Sequence, residues 1–308
     1  MTYGELYRRG RDALEAAGVP EAELDARLLL EWVCGTDRSD LLAHGDRERS
    51  AGEQEEYERL IAGRKGRIPL QHLTGVQAFM GLEFAVDGHV LVPRQDTEVL
   101  VEEALRNLHD GMRILDMCTG SGCILISLLH YSNDCRGVGA DISGEALAVA
   151  RGNAERLLGA SACAWMRDGT EVLDGCGADD PPCAEDRQGR ISLIESDLFD
   201  GIEGRFDIIV SNPPYIRSGE IPGLMPEVRE HEPVLALDGG EDGLDFYRRI
   251  LEGCRAHLCG GGMLFLEIGY DQGEAVSGLL AEAGFLEVAV VKDYAGLDRV
   301  VCGTLGFG

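Results

Sequence analysis

The sequence predicts an α/β fold: a doubly wound, mostly parallel sheet preceded by a helical N-terminal segment. Three observations carry this expectation. About the first 75 residues show helical periodicity with cap signals, short apolar runs alternate with helical segments after Asp96, and a small-residue loop follows the first of those runs. With 308 residues, 44% of them hydrophobic and 27% charged, the composition is globular. That excludes a wholly disordered chain, a collagen or a disulfide-stapled miniprotein.

The helical segment, 1–75, opens on Thr2 with Glu5 three residues on, and Ser50 with Glu53 repeats the pattern. In both, a hydroxyl and a carboxylate can satisfy reciprocal backbone donors at a helix start. Pro20 marks the start of a helix over Glu21 to Val33, with Leu24, Leu28 and Trp32 on one face. Arg64, Lys65 and Arg67 form a small basic run, expected to be solvated. After Pro69 the period drops to two. Val76 to Phe79, Leu82 to Val86 and His89 to Val92, separated by Met80-Gly81 and Asp87-Gly88, predict a hairpin linker over 76–95.

Strands are expected at Arg113 to Met117, Gly137 to Ile142, Ile191 to Glu195, Phe206 to Ser211, Met263 to Ile268, Leu286 to Val291 and Val300 to Leu305. Helical segments between the first five make those strands parallel. The interval Lys292 to Arg299 is too short for a helical crossover, so the last two strands should pair antiparallel at the sheet's end. Residues 160–190 break the rhythm. Cys163 to Arg190 holds seven acids and three arginines, which suggests a surface insertion with an extra hairpin around Ala164 to Val172 and a mobile tip at Asp179 to Pro182.

The net charge is −27, from 28 Lys and Arg against 55 Asp and Glu. Such a chain repels polyphosphates, which weighs against nonspecific nucleic-acid binding. Ten cysteines are scattered without a C-x-x-C pair or a Cys/His cluster, so no metal site is expected and a reducing compartment is. His72, His89 and His231 lack metal-like spacing. The start, Met1-Thr2-Tyr3-Gly4-Glu5, lacks the profile of a secretory signal, and no apolar run reaches the roughly 20 residues of a membrane span. A cytoplasmic protein is expected.

Two constellations carry chemistry. In the first, Cys118-Thr119-Gly120-Ser121-Gly122 follows a strand and precedes a helix, where glycines admit a ligand to the backbone and the helix start offers N–H groups. Asp141 ends the next strand at about the 20-residue spacing of a carboxylate that grips ribose hydroxyls. The ligand is a dinucleotide or an adenosyl group. Leu125 occupies the place of the third glycine of the dinucleotide fingerprint, which favours the adenosyl ligand.

The second constellation, Asn212-Pro213-Pro214-Tyr215, directly follows an apolar strand. Its prolines fix φ and remove two donors, leaving a rigid, acceptor-rich loop. Asn212 adds a side-chain oxygen and Tyr215 a ring face, which suits a substrate with a flat NH₂ group held by the Asn212 oxygen and the Pro213 carbonyl. Glu267, at a strand end, is expected to satisfy backbone donors. Arg94 either orients the following domain or meets a ligand carboxylate.

With these loops, Gly66 to Gly75 (GRIPLQHLTG), Val90 to Glu98 (VLVPRQDTE), Glu232 to Leu244 (EPVLALDGGEDGL) and Leu266 to Gly273 (LEIGYDQG), the chain resembles the protein-(glutamine) methyltransferases that modify class 1 peptide chain release factors. The resemblance implies a class I S-adenosylmethionine-dependent methyltransferase with a Rossmann-like seven-stranded sheet in 96–308. It also implies an N-terminal helical domain that recognises substrate, and a Gly-Gly-Gln glutamine as methyl acceptor. The motif match places the cofactor at Cys118, Thr119, Gly120, Ser121, Gly122, Asp141, Asp197, Leu198 and Asn212. It places the glutamine amide at Asn212, Pro213, Pro214 and Tyr215, with Asn212, Pro213 and Tyr215 as the catalytic set. Cys118 stands where the family usually has a glycine, Gln95 where it usually has a proline, and the acidic insertion has no counterpart in the family pattern.

An amide nitrogen is a poor nucleophile, so catalysis should rest on positioning. The attacked nitrogen becomes acidic, which removes the need for a tuned general base. A glutamine methyltransferase of a ribosomal protein shares the loop and fold. A nucleic-acid exocyclic-amine methyltransferase needs a Lys- and Arg-lined groove, and a catalytically idle cofactor-binding factor has no use for a complete NPPY loop.

Overall fold

The computed structural model describes residues 1–159 and 189–307. The hairpin expected at Ala164 to Val172, the tip at Asp179 to Pro182 and Cys163, Cys176 and Cys183 all lie outside the described residues. The chain divides into two compact units, one of Met1–Val76 with Leu224–His231, the other of Gln77–Gly223 with Glu232–Gly308. Among the described residues, no helix is long and apolar enough to cross a membrane.

The first unit contains α1 (Tyr3–Ala16), α2 (Ala22–Cys34), α3 (Arg38–His44), α4 (Ala51–Lys65) and α5 (Leu70–Thr74). Thr2 and Ser50 each close a reciprocal capping box with Glu5 and Glu53. Tyr3, Leu6, Leu14, Leu29, Leu30, Tyr57 and Leu60 form its core. The Leu24-Leu28-Trp32 face of α2 is the outward one: Leu24 is 38% and Trp32 51% exposed, while Ala22, Ala26, Leu29 and Leu30 point inward.

The basic run is not solvated as a whole. Arg64 is buried, its Nε donating to Asp25 at 2.7 Å and its Nη1 pairing with Glu227 at 2.9 Å, and Arg67 Nη2 meets Glu227 at 2.8 Å. Spacing along the chain gave no hint of these two acids, one of which arrives from a segment 160 residues away.

In the second unit, β1 (Val76–Phe79) and β2 (Leu82–Ala85) form a two-stranded sheet. The third run, His89 to Val92, is not a strand. Asp87 turns the chain by accepting from the His89 N–H at 2.9 Å, and Pro93 follows. Next come α6 (Glu98–Asn107), β3 (Arg113–Met117), α7 (Cys123–His130), β4 (Arg136–Asp141), α8 (Gly144–Leu158), β5 (Ile191–Glu195) and β6 (Phe206–Ser211). α9 (Pro226–His231) falls in the first unit, and α10 (Asp245–His257), β7 (Leu258–Glu267), α11 (Gly273–Glu282), β8 (Phe285–Lys292) and β9 (Asp298–Leu305) complete the second.

The seven strands run in the order β5-β4-β3-β6-β7-β9-β8. The first five are parallel, β9 pairs antiparallel with β7, and β8 pairs antiparallel with β9. No helix lies between β5 and β6, contrary to the alternation expected. Residues 196–205 instead turn on Ser196, whose Oγ donates to the Leu198 carbonyl and accepts from the Gly201 N–H, both at 2.8 Å. Gly201 and Gly204 make that stretch a poor helix former. One face of the sheet is covered by α6 and α7, the other by α10 and α11, which accounts for the almost unbroken burial of β3 and β6.

Candidate functional site

The chain reverses direction in the sheet between β3 and β6, and ligands bind such sheets at the carboxyl ends of the strands flanking this point. A cavity of about 330 Å³ opens there. Its walls include Cys118, Thr119, Gly120, Ser121, Asp141, Asp197, Leu198, Asn212 and Pro214. Gly122, Pro213 and Tyr215 are not among its lining residues; Pro213 is buried and Tyr215 partly so.

The glycine loop is built by its strand. Asp116, fully buried, accepts from the Thr119 hydroxyl at 2.6 Å and the Leu125 N–H at 3.3 Å, and burial pushes its carboxyl up to about 7. Cys118, Gly120 and Gly122 all have positive φ, at 60°, 54° and 78°. A Cβ on Gly120 would meet nothing within 4 Å, whereas one on Gly122 would come within 2.8 Å of Ile126 Cδ1 and 3.2 Å of Ala150 Cβ. The first glycine therefore opens space at the cavity, and the second lets α7 pack against α8.

Asp141 is oriented by backbone donors. Its Oδ2 accepts from Gly120 N–H at 2.9 Å and its Oδ1 from Ser143 N–H at 3.0 Å, which orients both oxygens while leaving each a lone pair. Burial raises its pKa against these bonds. Asp197 pairs with Arg249 at 2.8 Å, and Leu198, with φ 51°, presents an apolar edge beside them. A left-handed loop, a cavity-lining carboxylate and an apolar wall together fit an adenosyl group carrying a small polar tail.

The NPPY loop is fastened at both ends. Ser211 Oγ donates to the Met117 carbonyl at 2.7 Å, Asn212 Nδ2 donates to Thr97 Oγ1 at 3.3 Å, and Gln272 Nε2 donates to the Tyr215 carbonyl at 3.0 Å. The Tyr215 hydroxyl approaches Glu267 Oε1 at 3.4 Å. Glu267 is thus engaged by side chains, not by the backbone donors expected of it, and burial pushes its carboxyl up to about 7. A Cβ on Gly239 would strike the Tyr215 backbone at 2.7 Å, which explains the small residue there.

Arg94 lines the cavity and donates through Nη2 to both oxygens of buried Glu232 at 2.7 Å. Thr97, Asn153, Phe246, Arg249 and Gln272 went unnoticed in the sequence. Asn153 is fully buried, its Nδ2 donating to the Ala85 and Ser121 carbonyls at 3.0 Å and its Oδ1 accepting from Ala85 N–H at 2.7 Å. Its polar position on the otherwise apolar face of α8 was the available signal. Among the described residues, no group of three or more His, Cys, Asp or Glu could hold a metal ion.

Residues 5–75 match the model of the PrmC N-terminal domain. A release factor glutamine methyltransferase of Geobacter sulfurreducens is 39% identical over 297 residues, covering 96% of this chain and 94% of its own. One from Moorella thermoacetica is 42% identical over 300 residues, again covering 96% and 94%. The chain belongs to the release factor glutamine methyltransferase family. The fold agrees: a methyltransferase from Pyrococcus furiosus superposes with a TM-score of 0.50 at 20% identity, covering 80% of this chain and 100% of its own. Membership in this family makes the chain an enzyme of the class I methyltransferase fold, as the resemblance implied.

Proposed function

We propose that this family member transfers a methyl group from S-adenosylmethionine to the side-chain amide nitrogen of the Gly-Gly-Gln glutamine of class 1 peptide chain release factors, in the cytoplasm. The observation that carries the reading is the placement of Asn212 on the wall of the cavity that also holds the glycine loop and Asp141. One wall then suits an adenosyl cofactor and the next suits an amide.

In this reading Cys118 to Gly122 admit the amino-acid tail, Asp141 takes the ribose hydroxyls, and Asp197 and Leu198 border the adenine. When bound, the cofactor supplies an electrophilic methyl group on a sulfonium whose sulfur departs with the bonding pair. Asn212 Oδ1 and the Pro213 carbonyl accept the two amide hydrogens, and Pro214 and Tyr215 keep the loop rigid. Holding both N–H bonds aims the nitrogen and favours tetrahedral geometry as it reacts. The nitrogen's surplus proton passes to solvent, since a nitrogen that has gained a fourth bond is strongly acidic.

The helical unit serves recognition of the release factor, and the net charge of −27 weighs against a nucleic-acid substrate. The test is Asn212→Ala, assayed by peptide mapping of methylated release factor. Turnover should fall by about 100-fold or more, the scale of losing one preorganised polar contact to the reacting group. Cofactor affinity should largely survive. Unchanged turnover would refute the role given to Asn212.

A further inference from the structure

The cavity follows the carboxyl edge of the sheet from the glycine loop after β3, past Asp141 at the end of β4, to Asp197 and Leu198 after β5. A ligand with its tail at the first and its ribose at the second lays its base at the third. The sheet does not make the wall there alone. Because segment 196–205 forms no helix, α10 lies directly on it: a Cβ on Gly253 would come within 2.4 Å of Phe199 Cδ2, and His257 stacks on the Phe199 ring with centroids 4.9 Å apart. The residues that α10 buries are Tyr247, Ile250, Leu251 and Cys254. Phe246 is only partly buried and lines the cavity, as does Arg249 three residues on, on the same side of the helix. The Arg249 guanidinium carbon lies 5.7 Å from the centre of the Phe246 ring, and its Nη2 donates to Asp197 Oδ1 at 2.8 Å. These contacts join the ring to the carboxylate at the base end of the cavity.

We propose that Phe246 and Arg249 recognise the adenine of the cofactor, Phe246 by stacking its ring on the base and Arg249 by positioning Asp197 for the amino group of the base. A π-face stacks on any nucleobase, so the ring supplies affinity without choosing among bases. The choice comes from Asp197. A carboxylate accepts from an exocyclic amine and repels a carbonyl oxygen in the same place. Arg249, by holding Oδ1, fixes the rotation of that carboxylate, so that Oδ2 can accept. The inference rests on the adenosyl reading of the site and is independent of which substrate receives the methyl group.

Calorimetric titration of the full chain with S-adenosylhomocysteine and with S-inosylhomocysteine, which carries a carbonyl where adenine has its amino group, tests it. Wild type should prefer the adenosyl form by about tenfold or more, the scale of one well-placed polar contact. Phe246→Leu keeps apolar bulk and loses the π-face, so both ligands should weaken by the same factor, about fivefold or more, while Phe246→Tyr stays within about threefold of wild type. Arg249→Met acts at a half-exposed side chain, where the fold is not at stake. It should narrow the preference for the adenosyl form by about threefold or more, as Asp197 loses its fixed rotation.

Unchanged affinities in Phe246→Leu, an equal loss in Phe246→Tyr, or an undiminished preference in Arg249→Met would each overturn the inference and leave the adenosyl reading standing. A wild type that binds neither ligand would overturn both.

Discussion

Gln272 Nε2 donates to the Tyr215 carbonyl at 3.0 Å and to the Gly243 carbonyl at 3.2 Å, while its Oε1 accepts from Gly269 N–H at 2.9 Å. A single buried amide thus ties the NPPY loop to the glycine-rich turn and to the end of β7. Gln272→Glu preserves shape and removes both donors. It is expected to cost about 2 to 4 kcal/mol in denaturant unfolding, because two buried carbonyls lose their partner. It should also lower kcat, because the loop proposed to hold the substrate amide loosens. An unchanged midpoint would show that the clamp is idle.

The two loop glycines should fail differently. Gly120→Ala pays only for a Cβ at positive φ, about 1 to 2 kcal/mol, yet places a methyl where the cavity is open. Gly122→Ala adds collisions with Ile126 and Ala150, so its melting temperature should drop further. Thermal melts paired with cofactor titrations separate the two. Gly120→Ala is expected to lose affinity out of proportion to its stability.

Asp116 gives a signed pH effect. Its carboxyl is raised in the folded state to about 7 from an ordinary value of 3.8, so the folded chain holds a proton that the unfolded chain has released. Stability from this group is therefore fully present below the unfolded pKa and is lost as pH rises toward 7, at up to about 1.4 kcal/mol per pH unit. Glu267, raised from 4.5 to about 7, adds to the same trend. Asp116→Asn removes one share, so its stability relative to wild type should improve between pH 5 and pH 8. Denaturant unfolding of the cofactor-free protein at both values checks the sign.

In the helical unit, Arg64 and Asp25 are side chains only 8% and 7% exposed, joined at 2.7 Å. Arg64→Met alone strands a buried carboxylate and is expected to destabilise by about 3 to 5 kcal/mol. Arg64→Met with Asp25→Leu should recover much of that loss, since an apolar pair avoids the desolvation of both ions. Failure of the double variant to recover would assign the cost to Glu227, the other partner of Arg64.

The strands were legible because each is a short apolar run, and Arg113 to Met117, Ile191 to Glu195 and Phe206 to Ser211 begin and end where the sequence placed them. The antiparallel end followed from the short interval before β9. The missing helix between β5 and β6 was not legible, since Leu198, Phe199 and Ile202 are apolar enough to suggest one and only the turn on Ser196 decides otherwise. The sequence showed that Leu24, Leu28 and Trp32 share a face of α2 but not which way it turns; Ala22, Ala26, Leu29 and Leu30 are the residues that join the core with α1 and α4.

At the site, residues within one loop announced themselves, as Asn212 and the stretch Cys118 to Gly122 did. Thr97, Glu267 and Gln272 touch that loop from two other segments. A pairing such as Arg64 with Glu227 or Asn212 with Thr97 exists only once the chain has folded, so local pattern cannot show it.

The measurement that bears most directly on the central claim is intact-mass analysis of an unmethylated class 1 release factor after incubation with this protein and S-adenosylmethionine, beside a variant release factor carrying Gly-Gly-Ala in place of Gly-Gly-Gln. The expected result is a gain of one methylene mass on the glutamine form and none on the alanine form. Equal gains on both forms, or none on either while the cofactor binds, would contradict it.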